Sequence, residues 1–119
     1  MRLTEVSYGG AKAIDGYGPE FWRVGGEVLR GSVLVTADGA QIWGGYDDPG
    51  PLIALAGKVD VLFIGTGKVI AHLPADFRKA LEDAGMAIEA MDSPAAARTY
   101  NVLLSEGRRI AAALRVTGP

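Results

Sequence analysis

Residues 59–68 read VDVLFIGTGK, an apolar run broken only by Asp60 and closed by two glycines. Val59, Val61, Leu62, Phe63 and Ile64 are too few to span a membrane and too rich in branched side chains to favour a helix. They predict a strand covered on both faces by other layers, near the centre of a sheet. Such strands pair in parallel through crossovers, and the residues downstream supply one. In residues 74–84, Phe77, Ala80, Leu81 and Ala84 fall at helical spacing, with Pro74 at the start, Asp76 in the first turn and Gly85 just past the end. Residues 86–91 then alternate Met86, Ile88 and Ala90 with Ala87 and Glu89. This predicts a second strand, parallel to the first through a right-handed crossover.

Past that strand, Ser93 reads as a helix cap and Pro94 as its first residue. The helix is predicted to run to Leu114, because Ala96, Tyr100, Leu103, Gly107, Ile110 and Leu114 recur at steps of four and three, as one seam facing the sheet. Gly107 within that seam would permit close backbone approach. Upstream the chain is rich in turns, with twelve of the 17 glycines preceding residue 58, which favours hairpins first and βα units second. Residues 21–24 and 27–36 are β-prone runs on either side of Gly25-Gly26, the pair a tight hairpin turn needs. Ala37, Asp38 and Gly39 turn the chain into residues 41–43, residues 44–50 read as a loop, and residues 51–56 as a short helix. The class is α/β, and with 119 residues and no linker the chain is expected to be one domain over residues 1–119.

The chain is 49% apolar and 22% charged, in the range of folded globular proteins. Fourteen carboxylates against 12 Lys and Arg leave a net charge of −2, without the basic footprint that nucleic acid requires, so no nucleic-acid partner is expected. The adjacent Arg108 and Arg109 read as an ordinary solvated helix face. With no cysteine and the single histidine His72, no thiolate nucleophile, cysteine-ligated metal or other metal site is expected. No transmembrane segment is expected either, since no stretch approaches the ~18 apolar residues of a span. Residues 1–6 include Glu5 and no apolar run, and so read as neither signal nor transit segment. The default location is cytoplasmic.

Gly65-Thr66-Gly67-Lys68 follows the central strand, where α/β folds place ligand crevices. It matches neither nucleotide pattern. A dinucleotide fingerprint would need Gly or Ala where Ile70 stands, and a phosphate-binding P-loop would need Gly in place of Leu62 and Ser or Thr in place of Val69. What remains is a turn whose N–H groups and Lys68 are suited to an anion, against a turn that only carries the chain between layers. A Ser-His-Asp triad would have to pair His72 with Ser7, Ser32, Ser93 or Ser105, none of which lies in a nucleophile elbow. Asp47 and Asp48, set among Gly44, Gly45, Pro49 and Gly50, are explained by turn chemistry. On the last predicted helix, Thr99, Glu106 and Arg109 share one stripe and Arg98, Asn101, Ser105 and Arg108 another. Glu106 is placed to pair with Arg109, and two polar stripes beside a packed seam suit a docking surface.

These segments together resemble the Mth938-like family, also called domain of unknown function 498, over nearly the entire chain. The resemblance is carried by Gly16-Tyr17-Gly18 with Phe21, Gly31-Ser32, Trp43, the Asp60–Gly67 strand and turn, and above all Arg98-Thr99-Tyr100-Asn101 with Glu106-Gly107-Arg108-Arg109. Two positions depart from it, Pro94 where glycine is usual and Ala97 where a cysteine is expected. The resemblance implies a three-layer α/β fold, with a mixed central β-sheet, helices against it and an added β-hairpin layer. It also implies kinship with mitochondrial assembly factors of respiratory complex I. The expected activity is therefore non-catalytic binding, with no catalytic residue and no cofactor, by an assembly factor or chaperone for complex I or another membrane complex. The expected partner is a protein, such as a membrane-complex subunit, met at the periphery of the inner membrane by a monomer or weak homo-oligomer. The binding residues would be Gly65, Thr66, Gly67, Lys68, Arg98, Thr99, Tyr100, Asn101, Glu106, Arg108 and Arg109. The alternative is a small anionic ligand, or an enzyme site, at the Gly65–Lys68 turn.

Overall fold

The computed structural model describes residues 9–118; residues 1–8, which include Ser7 and the stretch read for a targeting signal, lie outside the described residues, as does Pro119. The chain runs β1 (Ile14–Gly18), β2 (Phe21–Val24), β3 (Glu27–Arg30), β4 (Val33–Thr36), β5 (Gly39–Ile42), a 3₁₀ turn (Gly45–Asp47), α1 (Gly50–Ile53), β6 (Val61–Gly65), α2 (Ala75–Asp83), β7 (Ile88–Met91), α3 (Ser93–Ser105) and β8 (Ile110–Leu114).

Two sheets form, a three-stranded β1-β2-β3 and a five-stranded β5-β4-β8-β6-β7. The small sheet is antiparallel, and Gly25 and Gly26 at φ +57° and +84° form its expected tight turn between Val24 and Glu27. The large sheet is mixed. Its β5-β4-β8 pairings are antiparallel, whereas β8-β6 and β6-β7 are parallel, as a crossover through α2 requires for the last pair.

Because successive strand residues face opposite sides, the large sheet buries two faces. On one, Val33, Val35, Phe63, Ala112 and Leu114 meet Ala96, Tyr100 and Leu104 of α3, with Ile14, Trp22 and Val24 of the hairpin layer. On the other, Leu34, Leu62, Ile64, Ala111 and Ala113 meet Leu52 of α1 and Phe77 and Leu81 of α2, together with Trp43 and Leu73. This is the expected three-layer arrangement with an added hairpin layer.

The largest departure from the sequence reading concerns residues 93–114. The helix stops at Ser105, and residues 110–114 form the middle strand of the large sheet. Gly107 is therefore no member of a helical seam. At φ +76°, its N–H donates to the Leu104 carbonyl and that of Arg108 to the Leu103 carbonyl, a closing geometry suited to glycine. Ala111, Ala112 and Ala113 are good helix formers, yet all are fully buried between β4 and β6, where small side chains fit both faces. Tertiary context outweighs propensity here. β6 is interior, as predicted, but β8 holds the centre.

Two further departures share one cause, glycine in or beside strands. Residues 27–36 are not one strand, because Gly31 at φ +114° moves the chain from the small sheet to the large one. β1 was not predicted, since Gly16 and Gly18 weaken its β-signal. Gly18 is bare for a reason: a Cβ there would lie 2.3 Å from the Phe21 ring. Finally, the cap of α3 is Asp92, whose side chain accepts from the Ala95 N–H at 2.8 Å, which leaves Ser93 for another task.

Candidate functional site

Gly65-Thr66-Gly67 is the point where β6, β7 and α3 are tied together. A Cβ on Gly65 would lie 2.6 Å from Ser93 Oγ and 2.7 Å from Ser93 Cα, so only glycine lets the start of α3 approach β6 this closely. The Thr66 N–H donates to the Met91 carbonyl at 2.8 Å. Its hydroxyl donates to the Val69 carbonyl at 2.8 Å and accepts from the Ala71 N–H at 3.1 Å. The Gly67 N–H donates to Ser93 Oγ at 2.9 Å, and the Ser93 N–H donates to the Gly67 carbonyl at 2.7 Å. The fully buried Ser93 thus serves as a clamp between turn and helix rather than as a cap. Two of the donors that would make the turn an anion cradle, the N–H groups of Thr66 and Gly67, are engaged within the fold, and the side chain of Lys68 is exposed.

Beside Lys68 lies an open groove of about 770 Å³ at the carboxyl ends of the parallel strands β6 and β8. Its walls are the turn itself, residues 115–118 and Tyr17 with Pro19 of the hairpin layer. Arg115 joins Lys68 there, its guanidinium carbon 4.6 Å from the centre of the Tyr46 ring. Arg115 was missed in the sequence because it falls just past a helix predicted to end at Leu114. Once β8 is a strand parallel to β6, the residue after each strand opens onto the same crevice.

Along α3 the signature residues divide into inward and outward groups. Tyr100 is fully buried and its hydroxyl donates to the Lys12 carbonyl at 3.2 Å. Burial pushes its phenol well above the usual range, and the Asp38 carboxylate adds to the effect. The half-buried Asn101 accepts from the Ile14 N–H at 2.9 Å and donates to the Ile14 carbonyl at 2.8 Å, so its amide acts as a strand partner for β1 at the bulge between Ile14 and Gly16. Thr99 turns its hydroxyl to the Met91 sulfur at 3.6 Å. Arg98 is exposed, as is Val102 one turn on, at 56%.

Glu106, Arg108 and Arg109 are exposed but lie past the last turn of α3, so the two polar stripes do not extend to them. Arg109 does not pair with Glu106. It binds Asp60, just before β6, at 2.7 Å. That hydrogen bond holds the Asp60 carboxyl below its ordinary range, with Arg108 adding to the effect, and raises the Arg109 guanidinium. Asp48 accepts from the Gly44 N–H at 3.1 Å, in keeping with the turn chemistry expected of the Asp47-Asp48 pair. His72 is exposed on the connection between β6 and α2. Among the described residues, no helix is long and apolar enough to cross a membrane.

With this geometry in place, likeness to known proteins becomes informative. The profile of a family described as protein of unknown function (DUF498/DUF598) matches residues 14–115. An uncharacterized protein of Rhodobacter capsulatus is 53% identical over 114 residues, covering 96% of this chain and 92% of that protein. The Danio rerio protein named NADH dehydrogenase (ubiquinone) 1 alpha subcomplex assembly factor 3 is 32% identical over 105 residues, covering 82% of this chain but only 60% of its own length. Among solved structures, a Bartonella henselae chain described as an outer membrane protein superposes with a TM-score of 0.79 at 32% identity, covering 90% of this chain and 96% of that one. A Bordetella pertussis protein described as a Mth938-like domain superposes with a TM-score of 0.77 at 26% identity, covering 99% of this chain and 94% of that one.

Proposed function

The chain belongs to the DUF498/DUF598 family, and from that kinship we propose that it is an assembly-related protein that holds a polypeptide partner rather than turning over a substrate. The finer reading is a helper in building a membrane complex of the NADH:ubiquinone oxidoreductase kind, met at the inner membrane surface from the cytoplasmic side. In this proposal residues 1–119 act as one domain, monomeric or weakly self-associating.

The observation that carries the proposal is the 32% identity to assembly factor 3 across 82% of this chain. Geometry supports it by dividing the motif residues: Thr99, Tyr100 and Asn101 are spent on internal contacts, while Arg98 stands free on α3 with Val102. A small anion at the Gly65–Lys68 turn has the engaged Gly67 N–H against it.

Native affinity capture tests the role, with membrane and soluble fractions kept separate. Wild type is compared with an Arg98→Glu, Val102→Glu double variant, whose two side chains are exposed and leave the core intact. Wild type is expected to enrich subunits of a membrane complex, and the variant to lose about tenfold of that enrichment. Identical capture by both removes the α3 face from the proposal, and capture without any membrane-complex subunit overturns the assembly role.

A further inference from the structure

We infer that the groove between the turn after β6, residues 115–118 and the β1-β2 connection is the seat for an extended segment of the partner that alternates carboxylates with apolar side chains. This deepens, and rests on, the partner-holding role proposed above.

Charge is the first argument. The chain as a whole carries a net charge of −2, yet the groove is lined by Lys68 and Arg115 and by no Asp or Glu. Among the described residues, neither cation forms an ion pair. Lys68 and Arg115 thus present unneutralised charge in a concave site, the arrangement that draws in and orients an acidic partner.

Apolar surface is the second. Val69 is 68% exposed and Tyr17 48%, and both line the groove together with Pro19, Pro94 and Val116. The hydroxyl of Thr66 bridges the Val69 carbonyl and the Ala71 N–H, so the loop that displays Val69 is held in shape before anything binds. An occupant matching this lining needs apolar groups between its carboxylates.

Size and donors then separate the occupants. A phosphate would call on several converging backbone N–H groups, and two of those in the turn, on Thr66 and Gly67, are taken by the Met91 carbonyl and Ser93 Oγ. At about 770 Å³ the groove also exceeds what a lone anion fills. Tyr17 and Pro94 also line a smaller recess that contains Arg98 and Asp15, whose carboxylate accepts from the Gly26 N–H, so a segment leaving the groove would continue onto the open face of α3.

The test uses the full chain and a fluorescein-labelled peptide, Asp-Leu-Glu-Val-Asp-Leu-Glu-Val, with a counterpart in which Lys replaces each acid, read by fluorescence anisotropy. The acidic peptide is expected to bind at least about tenfold more tightly than the basic one and to weaken as salt rises. A Lys68→Glu, Arg115→Glu variant is expected to reverse that preference, and a Lys58→Glu variant to leave it unchanged. Lys68→Glu alone, in an exposed loop, reports the same loss if the double variant melts early. Equal binding of the two peptides, or a preference that survives both substitutions, overturns the proposal. So does displacement of the peptide by inorganic phosphate at equal concentration, which would assign the groove to a small anion. Binding to anionic phospholipid vesicles that depends on Lys68 and Arg115, without any peptide preference, would assign it to a membrane surface. If native capture of a membrane-complex subunit persists in the charge-reversed variant, the groove assignment falls while the partner-holding role stands.

Discussion

Replacing Gly107 by alanine distinguishes the observed end of α3 from the continuous helix that spacing suggests. In the structure Gly107 has φ +76°, and a Cβ built there meets no atom within 4 Å, so the cost of alanine is conformational rather than steric. Holding an L-residue in the left-handed region costs about 1–2 kcal/mol, and the lower entropy of the unfolded alanine chain returns about 0.4–1 kcal/mol. Gly107→Ala is therefore expected to destabilise the protein by about 1 kcal/mol, which lowers the melting temperature by about 4 °C for a domain of this size. In the middle of a helix the same change would stabilise by about 1 kcal/mol, so the sign alone decides. Urea unfolding followed by far-ultraviolet circular dichroism measures it. D-alanine introduced at 107 by chemical ligation serves as the complement, because it prefers positive φ and is expected to stabilise. An L-alanine variant more stable than wild type would refute the helix end and return Arg108 and Arg109 to α3.

Three other substitutions probe the ties around the candidate site. Asn101→Ala removes both hydrogen bonds to Ile14 and leaves its N–H and carbonyl without their partner, for an expected loss of about 2–4 kcal/mol in urea unfolding; a loss below about 0.5 kcal/mol would mean that the hairpin layer does not depend on this amide. Gly65→Ala drives a Cβ to within 2.7 Å of Ser93 Cα, and the overpacking is expected to cost about 1–3 kcal/mol. Gly50→Ala, where a Cβ meets nothing within 4 Å, is its control in the same thermal melts. Tyr100→Phe forgoes the bond to the Lys12 carbonyl and is expected to cost about 1 kcal/mol near neutral pH. Because the folded-state phenol titrates above its ordinary value of 10.0, its share of stability is complete below pH 10 and is lost as pH rises from there towards the folded value. The gap between wild type and Tyr100→Phe should thus narrow in alkali, and a gap that widens would contradict the sign.

Legibility of the site followed sequence distance. The paired hydrogen bonds of Asn101 reach a residue 87 positions away, so its motif marked the residue as special without saying for what. Asn101 looked like a surface amide on a polar stripe, and only the approach of β1 made it a strand partner. Ser93 looked like a cap because Pro94 follows it, but Asp92 does the capping, and the serine is released to hold Gly67. Lys68 was visible as the cation after a glycine turn. Arg115 was not, because its place beside Lys68 depends on β8 lying next to β6.

The sequence by itself determined what short-range chemistry can impose. The Gly25-Gly26 hairpin, the punctuated helix α2, the apolar strand β6 and its parallel partner β7 all rest on side chains within a few residues of each other, and the signature motifs identified the family. Tertiary structure alone decided the fate of residues 106–115. An alanine-rich run with apolar residues at steps of three and four satisfies a helix locally, but between β4 and β6 it can bury both faces and complete two ladders at once. That gain exists only after the sheet has assembled, and it places Arg115 beside Lys68 at the head of the groove.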